Sequence, residues 1–150
     1  MRSYNDTHSK IMGYILWLFG FTGAHRFYYA RPITGTLWFF TFGLFGIGWL
    51  IDLFLIPSMD RKMDDQFLGG RLNYSFAWIL LTFFGIFGLH RLYLGEWLSG
   101  LFILLVTLSL VASSFVVPML SLLVLGVYLV LIYDFWTLNS RINRINSQHS

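Results

Sequence analysis

The stretch Gly20-Phe21-Thr22-Gly23-Ala24-His25-Arg26-Phe27-Tyr28 is answered 65 positions later by Gly85-Ile86-Phe87-Gly88-Leu89-His90-Arg91-Leu92-Tyr93. Working outward, Leu16, Phe19, Gly20, Gly23, His25, Arg26, Tyr28 and Gly35 fall on Leu81, Phe84, Gly85, Gly88, His90, Arg91, Tyr93 and Gly100. That is eight identities in the 21 positions from Ile15 to Gly35, where this composition would give about two. A His-Arg doublet is chemically unusual in an apolar segment, so composition bias does not explain the match. The halves pair again where Leu50-Ile51-Asp52-Leu53-Phe54 resembles Leu131-Ile132-Tyr133-Asp134-Phe135. The interval from Gly100 to Asp134 is twice that from Gly35 to Asp52, so the second copy carries an expansion around Pro118 as long as the first copy's whole interval.

The composition says where such a chain lives. Of 150 residues, 57% are hydrophobic and 11% charged, with a mean hydropathy of +0.67. Ten Lys and Arg with seven Asp and Glu cannot coat a water-soluble globule of this size. The 20% aromatic content is the opposite of a disordered chain. Without cysteine there is no disulfide, thiolate metal site or cysteine nucleophile. These observations predict an all-α integral membrane protein.

Four uncharged runs give the layout: Ile11–Ala24, Pro32–Ile51, Leu72–Leu89 and Trp97–Tyr133, of 14, 20, 18 and 37 residues. A crossing helix needs about 20 residues. The first run predicts a helix prolonged toward Phe27–Tyr29 as an interfacial anchor. The last, at about 55 Å, is too long for one crossing, and Pro118 after Ser113 and Ser114 is the natural break. The expected architecture is two tandem transmembrane helical hairpins with four spans and room for a fifth. A first hairpin covers 1–57, ending at Pro57. A charged aqueous linker covers 58–71, and a second hairpin covers 72–150 with its expanded last arm and a polar tail. The start imitates a signal peptide, with Arg2 and Lys10 before an apolar stretch, but its recurrence inside the chain argues against cleavage. The tail from Asn139 reads as a frayed helix end whose Arg141 and Arg144 touch headgroups. His8 and His149 sit in polar tails with no assigned role.

The glycine, His-Arg and tyrosine spacing, with Gly35 and Trp49-Leu50-Ile51-Asp52, resembles the transmembrane-2 (TM-two) domain family. That family pairs two membrane helices through a short loop carrying a Gly-x-His/Asp-Arg-Phe-Tyr signature. The second copy, Gly85 to Tyr93 with Gly95, Gly100 and Asp134, resembles it again. Together the resemblances cover about residues 10–57 and 75–138. Tyr29-Ala30 departs from the pattern that copy two keeps as Leu94-Gly95. The resemblance implies the fold and membrane residence, and no reaction. In eukaryotic members it also implies a signature loop facing the cytosol.

Charge placement argues the other way. With four crossings and a cytoplasmic N-terminus, seven Lys and Arg lie inside (Arg2, Lys10, Arg61, Lys62, Arg71, Arg141, Arg144) and three outside (Arg26, Arg31, Arg91). The N-terminus is therefore expected to be cytoplasmic.

His25-Arg26 and His90-Arg91 either cap the first helix of each hairpin or form a paired site between halves that binds an anion or conducts protons. Asp52 and Asp134 need partners so close to hydrocarbon. Lys10 serves Asp52 if the arm spans, and Arg26 serves if Gly43, Gly46 and Gly48 turn it back. If each arm spans, the carboxylates lie a full span from the histidines, which makes a metal site poor. No cofactor is expected. Gly20, Gly23, Gly85 and Gly88 allow a tight exit or close helix approach. No Walker loop, nucleophile elbow or His-Glu-x-x-His is present, and the excess of three positive charges reflects topology instead of nucleic-acid binding. The expected function is a non-catalytic multi-pass membrane protein whose partners are the bilayer and either a second copy or another membrane protein. The alternative is a small ion or proton transporter or channel using Asp52 and Asp134.

Overall fold

The computed structural model describes residues 7–19, 23–63, 66–114 and 124–148. Within them the chain is helical, and no strand occurs among the described residues. The helices are α1 (Lys10–Phe19), α2 (Ala24–Tyr28), α3 (Pro32–Phe45), α4 (Ile47–Met63), α5 (Tyr74–Phe84), α6 (Leu89–Tyr93), α7 (Trp97–Ser114) and α8 (Val124–Ser147), with a 3-10 turn at Gly85–Phe87. They divide between two compact units, Met1–Ser75 with Leu138–Ser150 (unit 1) and Phe76–Thr137 (unit 2).

In unit 1, α1 stops at Phe19 and does not continue through Tyr29 as expected. The signature residues form a separate short helix, α2, that folds back along it. The Ser9 backbone N–H donates to the Tyr28 hydroxyl at 2.7 Å, which ties the end of α2 to the start of α1. Pro32 opens α3, as proline does where its missing N–H is no loss. The arm then reverses over Phe42–Gly46, where φ is positive at five successive residues. Gly43 and Gly46 take that conformation freely. Gly48 returns so close to α3 that a Cβ there would meet the Trp38 ring at 2.6 Å. The tip is clasped by Trp17 and Trp49, whose rings stack at 4.4 Å. Each indole N–H of that pair donates to the other's backbone carbonyl, at 2.7 and 2.9 Å.

Helix α4 does not end at Pro57 but runs to Met63. The tail is not frayed: α8 is helical to Ser147, with Leu138, Ile142 and Asn146 buried in unit 1. Asn139, Asn143 and Asn146 make one stripe of backbone clamps. Asn146 Oδ1 accepts from Leu72 N–H at 2.9 Å, and its Nδ2 donates to the carbonyls of Leu68 and Leu72. Asn143 Oδ1 accepts from Leu68 N–H at 2.9 Å. Leu68, in the stretch expected as a charged aqueous linker, and Leu72 just after it are held by these bonds.

In unit 2, α5 carries Trp78 edge-on against Phe135 of α8 at 5.5 Å. Thr107 of α7 donates to the Ile86 carbonyl at 2.7 Å, which fixes the 3-10 turn. Pro118, expected to break the long arm, lies outside the described residues, as does Gly20. Among the described residues no helix is long and apolar enough to cross a membrane.

Candidate functional site

Each copy of the signature builds the same buried site from the same backbone parts. Gly23 and Gly88 precede the short helices at φ +83 and +69, and a Cβ at either would meet the carbonyl oxygen of Gly35 or Gly100 at 2.7 Å. Gly35 and Gly100 in turn lie under Phe27 and Leu92, where a Cβ would meet those side chains at 2.8 and 2.5 Å. The four glycines bring the short helix down onto the following arm, because no side chain separates the backbones. The short helices end alike. Arg31 N–H bonds to Arg26 O and Glu96 N–H to Arg91 O, both at 2.9 Å. The last turn therefore closes with a left-handed residue, Ala30 at φ 51 and Gly95 at φ 84.

The doublets project from this scaffold onto the carboxylates. His25 Nε2 lies 2.8 Å from Asp52 Oδ2. Arg26 donates from Nε to Oδ2 at 2.7 Å and from Nη2 to Oδ1 at 2.5 Å. In copy two the corresponding distances from His90 and Arg91 to Asp134 are 2.8, 2.8 and 2.7 Å. Both histidines and both aspartates are fully buried. The arginine fork meets its carboxylate side-on through two parallel bonds, the strong geometry for this pair. With the proton on Nε2, each imidazole donates the third bond to the same carboxylate. Nδ1 of either ring has no hydrogen-bond partner among the described residues. The Arg26 guanidinium also lies 3.6 Å above the Trp38 ring.

The question of partners left by the sequence is therefore settled by the reversal at 42–46. Asp52 is mated by Arg26 and His25, not Lys10, and neither carboxylate stands a full span from its histidine. Among the expected site residues, His25, Arg26, Asp52, Gly23 and Gly35 converge in unit 1, and His90, Arg91, Asp134, Gly88 and Gly100 in unit 2. Gly85 opens the 3-10 turn beside Leu131. Tyr28 and Tyr93 diverge. Tyr28 is buried and its hydroxyl bonds Ser9 and Ser75, whereas Tyr93 packs edge-on against Phe76 at 5.0 Å.

Sequence reading missed Trp38, the asparagine stripe and His8. The stripe was visible as Asn at 139, 143 and 146, one helical face. His8, a polar-tail residue by its sequence, is 1% exposed. Its ring sits 4.7 Å from both Tyr28 and Tyr74 and 5.4 Å from Phe67, with Nδ1 3.0 Å from the Thr7 hydroxyl. Burial pushes its pKa down to about 4. Among the described residues no group of three or more His, Asp or Glu is placed to hold a metal ion.

The TM2 domain family profile matches residues 6–54 and 70–136, one stretch over each triad. The chain belongs to the TM2 domain family. It is 60% identical over 60 residues to a TM2 domain-containing protein of Dictyostelium discoideum, a match covering 39% of each chain. A second from that organism is 51% identical over 47 residues, 31% of this chain and 34% of the relative. A third is 48% identical over 58 residues, 38% and 36%. The chain thus spans little more than a third of the length of the curated relatives it matches. No solved structure matches. In TM2 terms, the signature His-Arg and the later Asp of each match are the residues that meet in a triad.

Proposed function

We propose that this TM2 protein is a non-catalytic integral membrane protein of two tandem helical units that acts through helix-mediated association with itself or another membrane protein. The observation that carries the reading is polarity turned inside out. Each unit buries a His-Arg-Asp triad beside its apolar core, while many further large apolar side chains face outward, among them Phe45, Phe54, Leu98 and Phe102. Ionic groups inside and phenylalanine outside suit a bilayer as solvent. A crossing out and back is proposed for the arm from Trp97 to Tyr133, which carries no charged residue along its length. The cytoplasm is proposed as the side bearing Lys10, by the positive-inside rule. No nucleic acid, cofactor or substrate is proposed.

The transport alternative has less support. In each triad both carboxylate oxygens already hold donors, so a travelling cation would have to displace an arginine. The test is alkaline extraction of native membranes followed by crosslinking. The protein is expected to stay in the pellet and to yield a crosslinked dimer or hetero-complex. Release into the supernatant overturns membrane integration, recovery of monomer alone overturns association, and proton or cation flux in liposomes that is lost on D52N/D134N establishes transport instead.

A further inference from the structure

Unit 1 is charged at one tip and uncharged at the other. The Ser9–Tyr28–Ser75 bonds and the packing of His8 against Tyr28, Phe67 and Tyr74 gather the start of α1, the end of α2 and the segment before α5 at one tip. Asn143 and Asn146 bring the last turns of α8 to the same place. Lys10, Arg61, Lys62, Arg71 and Arg144 are exposed around it, and Arg31 follows closely after Tyr28. Asp60, beside Arg61, is buried. Leaving out the Arg26–Asp52 pair, unit 1 has eight Lys and Arg against four Asp, an excess of four positive charges. The opposite tip is the Trp17–Trp49 clasp and the reversal at 42–46. It exposes Phe40, Phe42, Phe45 and Ile47, and no charged residue occurs from Pro32 to Ile51.

We infer that unit 1 is a one-sided wedge. Its cationic tip seats on the anionic phospholipid headgroups of one leaflet, and its uncharged tip enters the hydrocarbon. Lys10, Arg31 and Lys62 then face the same aqueous phase, whereas the charge count from the sequence puts Arg31 across the bilayer from the other two. The inference rests on the membrane reading above and adds a lipid partner and a geometry to it. A unit that crossed would need polar groups at both tips to meet two headgroup layers. The reversal at 42–46 carries no polar side chain, and α4, the longest helix wholly within unit 1, rises about 25 Å against about 30 Å of hydrocarbon. Clustered Lys and Arg on one surface are the electrostatic complement of phosphatidylserine-type headgroups, since attraction there falls off within a Debye length.

The absence of native cysteine makes the test direct. Full-length K10C, R31C, K62C and F45C variants are reconstituted in sealed phosphatidylcholine vesicles containing phosphatidylserine, floated on a density gradient, and treated with a membrane-impermeant maleimide. The expected result is flotation, labelling of K10C, R31C and K62C from one common side, and no labelling of F45C from either side before detergent is added. Failure to float overturns the membrane reading itself. Flotation with R31C labelled from the side opposite K10C, or with F45C labelled from the aqueous phase, overturns the wedge alone. Electron spin resonance of spin-labelled lipids reads the partner. Phosphatidylserine is expected to be immobilised several-fold more than phosphatidylcholine. That ratio should fall toward one in about 1 M salt, where the Debye length is about 3 Å, and in K62Q/R71Q/R144Q. Equal immobilisation of the two lipids in the unmodified protein, or a preference that the triple variant keeps, overturns the headgroup assignment.

Discussion

The two copies of the TM2 signature reach the same triad along arms of very different length. Asp134 lies twice as far along the chain beyond Gly100 as Asp52 lies beyond Gly35. The His Nε2 to carboxylate distance is nevertheless 2.8 Å in both copies. The arginine forks close at 2.7 and 2.5 Å in copy one and at 2.8 and 2.7 Å in copy two. An arm that ran straight as a helix would carry the second aspartate about 25 Å further from its glycine. An arm that goes out and comes back can absorb the added length in its two legs and leave the endpoint where it was. Copy one shows the return outright, at the left-handed residues 42–46. What the fold holds constant is the ion triad, and the arm's length is free to vary.

The largest effects should come from breaking the triads. Removing one partner of a buried ion pair leaves the others uncompensated and costs about 3–5 kcal/mol. D52N should approach the upper end, because the Arg26 it strands is the more deeply buried of the two arginines. D134N should lie toward the lower end: Arg91 is 13% exposed against 8% for Arg26. Unfolding in mild detergent would measure both. Equal losses would mean that the difference in arginine burial does not set the cost.

Next in size are the glycine clasps, which should not distinguish the copies. G23A and G88A each add a Cβ 2.7 Å from a facing carbonyl oxygen at a positive φ. Neither backbone can yield without parting the short helix from its arm. Each substitution should cost about 2–3 kcal/mol, from left-handed strain added to overpacking, with similar shifts in the unfolding midpoint. If G23A were much the milder, the equivalence of the two scaffolds would be in error.

These pairs mark what the sequence made legible. The repeat, the glycines, the doublets and the need of Asp52 and Asp134 for partners are all written in residue identities at fixed spacing. The partner of Asp52 was not, because it depends on whether Gly43, Gly46 and Gly48 turn the chain, and glycine permits a reversal without requiring one. Pro57 reads as a helix end yet sits inside α4, tolerated there by a helix that Trp17 and the triad already hold. The roles of His8 and of the asparagine stripe were hidden for another reason. Polar residues in a terminal segment read as solvated until a partner backbone, here Leu68–Leu72, is known to lie against them.

A pH dependence between about pH 4 and 6.5 should come from His8, which has no counterpart in copy two. Its buried ring holds a proton less readily than the same ring in the unfolded chain, with pKa about 4 against 6.5. The unfolded state therefore binds more protons between those values. Stability is fully present above about pH 6.5 and declines as pH falls toward 4, at no more than about 1.4 kcal/mol per pH unit. By pH 5 the loss should reach about 2 kcal/mol, and H8F should abolish it. An H8F variant that keeps the full acid sensitivity would place the titrating group elsewhere.

The smallest effect concerns the one place where copy one departs from copy two inside the shared turn. Ala30 holds φ 51 where Gly95 holds φ 84, closing the short helix with the same bond from the following residue at 2.9 Å. An L-residue with a Cβ loses about 1–2 kcal/mol in this conformation, while glycine there frees the unfolded chain at a cost of about 0.4–1 kcal/mol. The difference favours A30G by about 0.5–1 kcal/mol, and G95A should lose a similar amount. The neighbouring exchange does not reverse so simply. Tyr29 is buried beneath Gly13, where an added Cβ would collide with its ring, so Y29L should open a cavity that Leu94, packed in a turn of its own, never had to fill. If A30G proves neutral while Y29L destabilises, the departure of copy one from the TM2 pattern is explained by the packing of Tyr29 alone, and Ala30 is a passenger of it.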